Sequence, residues 1–223
     1  MEKFFRFIVE NLTHVAPILL TGGIGLVIII ERTKALIWTY QLSYSDAFFD
    51  KIKLLVMSDR INDAIGMCVH IGSKPFVQVI REGLMRAHQP ESVIEDGLRI
   101  VVGKVTEEIS SRTPYLATIA NVATLFGLFG TIVGLVQSYK AVGTANPQER
   151  AGLLAAGIST AMNATMMGLG VAIPCMIAFS ILTARSNKLT AEVDRAAVCM
   201  LDLLKQRYYS SGNEDKPAKR SRA

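Results

Sequence analysis

The chain has 223 residues, of which 50% are hydrophobic and only 19% charged, with a net charge of +5 and a mean hydropathy of +0.33. That balance excludes disorder, collagen and most water-soluble folds. The apolar residues are gathered into blocks rather than spread at helical period, which points to a bilayer.

The first block, Asn11 to Ile30, is uncharged over 20 residues. About 20 residues at about 1.5 Å rise cross a hydrocarbon core of about 30 Å. Residues 1–38 therefore read as an N-terminal segment and first membrane helix. Lys3 and Arg6 could head a signal peptide, but the run passes into Glu31-Arg32-Thr33-Lys34 with no A-x-A-type site, so a retained anchor is the better reading. The stretch from Glu31 to Arg112 carries eleven acidic and eleven basic residues, and the region 39–113 reads as solvated amphipathic helices, with no bias toward nucleic acid. One helix is expected from Ser45 to Met67 on Phe48, Ile52, Leu55 and Val56, and a second from about Pro75. A third opens at Pro90-Glu91, where Val93, Ile94, Leu98, Val101, Val102, Val105 and Ile109 keep a 3–4 spacing. It meets no loop signal before the second membrane block, so one long helix is expected, with Pro114 the only candidate bend.

The second membrane helix is assigned to 114–139, within an uncharged block of 27 residues from Thr113 to Tyr139. A short outer loop spans 140–150, and the third membrane helix 151–184, within an uncharged block of 34 residues. At about 1.5 Å per residue the last block exceeds the bilayer, so it must tilt, kink at Pro174 or run on into water. Leu189, Val193, Ala196, Met200 and Leu203 then give a cytoplasmic helix over 185–209 one sticky face, which neighbouring copies could bury together. Residues 210–223 read as a disordered basic tail.

Lys and Arg split 4 against 20 between the two sides that this layout creates. By the positive-inside rule the 20 are cytoplasmic and the N-terminus is outside. The expected fold is an all-α integral membrane protein with three transmembrane helices and long helices extending into the cytoplasm.

In the second membrane helix Thr124, Gly127, Thr131, Gly134 and Ser138 follow one another at intervals of 3, 4, 3 and 4, so they share one face. Gly130 and Gly134 form a small-xxx-small pair suited to close helix packing. The third has small residues at Gly157, Ala161, Ala164 and Gly168, with Ser159, Thr160, Asn163 and Thr165 toward its outer half. Two readings stand: hydroxyls bonded to their own helix in a packed interface, or a hydroxyl-lined path. The glycines lack the Lys-Ser/Thr of a phosphate loop. No Asp, Glu, Lys or Arg lies in any of the three blocks, and His14 is the single histidine in them. His14, His70 and His88 have no ligand spacing, and Cys68, Cys175 and Cys199 no C-x-x-C pairing. No metal site, cofactor or enzyme is expected, and a self-sufficient proton pump is disfavoured because no titratable group sits at depth.

The string Leu125-Phe-Gly-Leu-Phe-Gly-Thr-Ile-Val-Gly-Leu-Val-Gln-Ser138, followed by Gly157-Ile-Ser-Thr-Ala-Met-Asn-Ala-Thr-Met-Met-Gly-Leu-Gly-Val-Ala-Ile-Pro174, closely resembles the MotA/TolQ/ExbB proton-channel family. The layout, with Glu31-Arg32 at the inner end of the first helix, resembles the ExbB/TolQ branch. The resemblance implies a homopentameric ring in a bacterial inner membrane, around a dimer of a single-span ExbD/TolR-like partner whose membrane Asp carries the ion. It implies Thr131 and Thr165 as pore threonines. The small-polar faces add Thr160, Asn163, Thr124 and Ser138 as candidates along the ion path, and Gly127, Gly130, Gly134 and Gly168 as candidate packing room for the partner helix. Relatives have a Glu where this chain has Thr160, which leaves proton against sodium open. The rival reading is a non-conducting scaffold ring.

Overall fold

In a computed structural model, residues 12–39, 46–72 and 74–214 are described, and all regular structure among them is helical. The elements are α1 (Leu12–Thr33), a π-helical segment (Lys34–Thr39), α2 (Asp46–Met57), α3 (Ile61–Ile71), α4 (Pro75–Met85), α5 (Glu91–Ser110), α6 (Thr113–Thr144) and α7 (Arg150–Glu214). Three stretches are long and apolar enough to cross a membrane, within Ala16–Leu36, Glu91–Thr144 and Arg150–Tyr209. The chain divides into two compact units, one formed by Met1–Thr33 with Arg112–Thr183 and the other by Lys34–Ser111 with Ala184–Ala223.

The first unit is built on an antiparallel seam between α6 and the first half of α7. Thr113, Leu116, Ala120, Ala123, Gly127, Gly130, Gly134 and Ser138 are buried on α6, and Ala161, Ala164, Gly168, Ala172 and Cys175 on α7. A Cβ added at Gly134 would sit 3.2 Å from Ala161, at Gly130 2.7 Å from Ala164, and at Gly127 3.1 Å from Gly168. One helix is read upward and the other downward in matching steps of three and four. Small residues matter here because lipid tails are as apolar as Leu, so close backbone approach and dispersion drive the pairing. Helix α1 joins the pair through Gly25, where a Cβ would lie 2.9 Å from the Cys175 sulfur and 3.2 Å from Ile119. Leu20, Leu26, Val27 and Ile30 remain exposed on α1, as a helix face against lipid requires.

The second unit packs α2 to α5 with the latter half of α7. Ile52, Val56, Val77, Ile80, Leu84, Leu98, Ile109, Met200 and Leu203 form its core. Phe48 and Phe76 meet edge to face at 6.0 Å. Lys205 pairs with Glu91 at 2.7 Å and Arg207 with Asp59 at 2.7 Å. Burial pushes the Cys68 thiol up to about 11, against the pull of Arg81, so it stays neutral and unreactive at ordinary pH.

Three expectations are corrected. The helix expected from Ser45 to Met67 is two, α2 and α3, because Asp59 adopts the left-handed conformation at φ 59°, a state Asp tolerates. The long helix expected through Pro114 is interrupted ahead of that residue. Ser111 is extended at ψ 148° and Arg112 is left-handed at φ 61°, which places Pro114 in the first turn of α6, where its missing N–H is harmless. A left-handed arginine costs on the order of 1–3 kcal/mol, and it forms an ion pair with Glu31 of α1. Of the outcomes open to the third block, α7 takes the last, continuing through Pro174 as one helix to Glu214. The stripe Leu189, Val193, Ala196, Met200 and Leu203 is buried within its own unit, where Met200 fills the space above Gly83, so it is not a free face. The tail reading meets α7 as far as Glu214; residues 1–11 and 215–223 lie outside the described residues.

The seam yields a paired test on one helix. A Cβ at Gly168 would lie 2.7 Å from the Ala123 carbonyl oxygen and 2.8 Å from the Gly127 Cα, whereas Gly170 has nothing within 4 Å. Backbone cannot swing aside, so Gly168→Ala should cost about 1–3 kcal/mol. In detergent, thermal melting should shift down for Gly168→Ala and stay unchanged or rise for Gly170→Ala.

Candidate functional site

The hydroxyl-bearing residues divide between the seam and its flanks. At about 100° per residue, Thr124 and Thr131 stand to one side of the buried α6 line that runs through Gly127, Gly134 and Ser138. Ile119, which touches α1, stands on the other side. On α7 the same count puts Thr165 opposite Val171, the residue against Gly22 of α1. Thr124, Thr131 and Thr165 thus occupy the flank of the hairpin away from α1. Thr160 falls on the side of Val171, and Asn163 on the back of α7.

Gly127 connects the two helices at this depth. Thr165 donates from its Oγ1 to the Gly127 carbonyl across the seam at 3.4 Å. The same carbonyl is the acceptor, in α-helical register, for the backbone N–H of Thr131. The two threonines therefore meet at one oxygen, and Gly127, lacking a Cβ, leaves the approach open. At 3.4 Å the bond is long, so the Thr165 hydroxyl is free to turn to a stronger acceptor. Thr131 donates to the Leu128 carbonyl at 2.5 Å and Thr124 to the Ala120 carbonyl at 3.0 Å. Such back-bonding keeps a hydroxyl satisfied in lipid and costs little to exchange for another partner.

The remaining expected residues are placed differently. Ser138, read from the sequence as part of the same polar face, is only 6% exposed; it donates to the Gly134 carbonyl at 2.7 Å and fills the space over Gly157. Thr160 donates to the Ala156 carbonyl at 3.0 Å, within its own turn. Asn163 is partly exposed. Gly127, Gly130, Gly134 and Gly168, expected to make room for another chain's helix, lie against each other and against alanines of their own hairpin.

Around the threonines the flank is apolar. Leu128, Leu135, Ile158, Met162 and Leu169 are all exposed large hydrophobics. No charged residue lies in 113–139 or 151–184, so neither helix of the hairpin brings a carboxylate to this flank. Among the described residues no cluster of His, Cys, Asp and Glu could hold a metal ion. What the site offers is a pair of adjustable hydroxyl donors on a low-dielectric wall, able to solvate an anion or a partly dehydrated cation.

Residues 72–195 match the family described as the MotA/TolQ/ExbB proton channel family, which is more than half of the chain. Curated relatives include the Tol-Pal system protein TolQ of Haemophilus influenzae, 36% identical over 101 residues, 44% of either chain. The biopolymer transport protein ExbB of Pseudomonas putida is 32% identical over 118 residues, 52% of this chain and 35% of that one. The chain thus spans less than half the length of these relatives. Among solved structures, Campylobacter jejuni MotAB superposes with a TM-score of 0.52 over 86% of this chain and 80% of that one at 15% identity, a likeness of fold.

The Gly127 carbonyl separates the two threonines experimentally. Thr165→Val removes a bond between helices, typically worth about 0.6 kcal/mol in a membrane protein, whereas Thr131→Val removes one within a helix. Thermal unfolding in detergent should show a small decrease for Thr165→Val and none resolved for Thr131→Val.

Proposed function

As the chain belongs to the MotA/TolQ/ExbB proton channel family, we propose that it is a ring-forming subunit of an ion-driven motor in a bacterial inner membrane. In this reading five copies surround a dimer of a single-span ExbD/TolR-like partner and convert ion flow into mechanical work on periplasmic or outer-membrane components. The observation that carries it is an acid-free hairpin whose Thr131 and Thr165 share the flank that α1 leaves uncovered, Thr165 reaching the Gly127 carbonyl across the seam and Thr131 bonded to the Leu128 carbonyl. The likeness of fold to Campylobacter jejuni MotAB supports a partner subunit.

The mechanism follows from solvation. A partner Asp that is protonated is neutral and tolerates an apolar wall; ionised, it needs hydrogen-bond donors. Thr165 has a long bond to give up and Thr131 a local one, so both hydroxyls can rotate toward the carboxylate without breaking the helices. Passage of the ion across the membrane supplies about 2.3 kcal/mol per charge per 100 mV, enough to bias steps from one subunit's threonine pair to the next. Thr160 lies off this flank and takes no part. The scaffold reading draws on a real feature: Thr124, Thr131, Thr160 and Ser138 all bond their own backbone, as hydroxyls in inert packing do.

Function separates the two. With the partner co-expressed, Thr131→Val should abolish ion-driven output while assembly persists, Thr165→Val should act similarly, and Thr131→Ser should keep much of the activity. Thr160→Val should do less harm than either valine variant at the pair. Wild-type output from both valine variants at the pair would make the threonines packing residues and favour the scaffold. Cation dependence of the output, protons against sodium, identifies the ion.

Orientation and stoichiometry are checked separately. Cysteines placed between Thr144 and Gln148 should react with an impermeant maleimide added outside spheroplasts, and one at Ser210 should not. Native mass spectrometry in mild detergent should give five copies, with two partner chains when these are present; a stable monomer would remove the ring.

A further inference from the structure

The backbone passes between the two units three times: after Thr33, between Ser111 and Arg112, and between Thr183 and Ala184. The first passage enters the π-helical segment Lys34–Thr39 directly from α1. A π-helix closes i to i+5 bonds, is rare at this length, and recurs where a protein keeps a functional irregularity. The second passage is the break between α5 and α6, with Ser111 extended and Arg112 left-handed. Arg112 and Asp59 are the two non-glycine residues with positive φ among the described residues. The third passage lies inside α7, which is helical throughout.

Two of the three passages therefore carry a local departure from the α-helix, and one does not. An ion pair ties the two departures together. The Arg112 guanidinium pairs with the carboxylate of Glu31, three residues before the π segment begins. Both side chains are about half exposed, at 57% and 43%. An ion pair of that exposure is modest, and it opposes the strain of a left-handed arginine, so the arrangement is held but releasable.

We propose that Lys34–Thr39 and Ser111–Arg112 are paired hinges under one latch, the Glu31–Arg112 ion pair, and that α7 is the single stiff connection between the units. Movement of the membrane unit then passes to the second unit along α7, while the other two connections yield together. A continuous helix resists bending because every backbone bond along it would have to distort, whereas the π segment and the left-handed residue each sit in a backbone state from which neighbouring states are close.

Hydrogen–deuterium exchange on the full chain in nanodiscs tests this without the partner or any ion gradient, so the result is independent of the motor reading. Glu31→Gln and Arg112→Gln should each raise exchange about two- to five-fold, the range a half-exposed ion pair accounts for, at the amides of both 34–39 and 111–115. Amides 183–188 of α7 should stay at the wild-type rate. Arg112→Lys, which keeps the charge on a side chain of similar left-handed cost, should retain wild-type protection. Unchanged exchange at either hinge segment in the Gln variants, an equal rise in α7, or failure of Lys to protect would each overturn the proposal.

Discussion

Close approach of two backbones along the α6–α7 seam is the constraint on which the membrane unit depends. With Gly127, Gly130 and Gly134 facing Gly168, Ala164 and Ala161, the helices are near enough for a threonine hydroxyl on one to reach a carbonyl on the other. Bulkier residues at these positions would push the helices apart, and Thr165 would lose the Gly127 oxygen. The position of α1 follows from the same geometry, because its Gly25 fits where Ile119 and Cys175 come together at the edge of the seam. Once α1 occupies that edge, the threonines are left on the other.

Much of this was legible in the sequence, and the parts that were not have specific causes. Uncharged blocks announced three membrane helices, and small residues at 3–4 spacing announced close packing. The spacing could not tell the centre of a face from its flank. Thr124 and Thr131 are offset from Gly127 and Gly134 by only about 40–80° around the helix at 3.6 residues per turn, yet that offset decides whether a hydroxyl is sealed in the seam, as Ser138 is, or left accessible. The break before α6 was invisible for another reason. Arginine carries no left-handed preference, and the cue, Pro114, sits two residues downstream, where it is equally compatible with a bend.

The apolar stripe after Leu189 shows the same limit. Its period was read correctly, but a sticky helix face does not state what covers it. Here the space above Gly83 in its own chain accepts Met200, and the face is satisfied before any second copy arrives. Residues that read as an assembly surface were used in folding, which leaves the seam's open flank, with Leu128, Leu135, Met162 and Leu169, as an exposed apolar surface of the hairpin beside its threonines.

The composition of the hairpin also bears on how it enters the bilayer. Leu, Ile, Val and Phe at a helix centre favour insertion by about 0.3–0.6 kcal/mol each, and nearly half the residues of α6 and of the first part of α7 are Gly, Ala, Thr or Ser. Either helix alone would expose polar hydroxyls and bare backbone to lipid. The connection 145–149 is short enough for the two to pair at once, so the seam is covered as the helices cross. A hairpin that pairs as it enters keeps those groups covered, and no charge from Thr113 to Tyr139 or from Ala151 to Ala184 has to enter the bilayer with it.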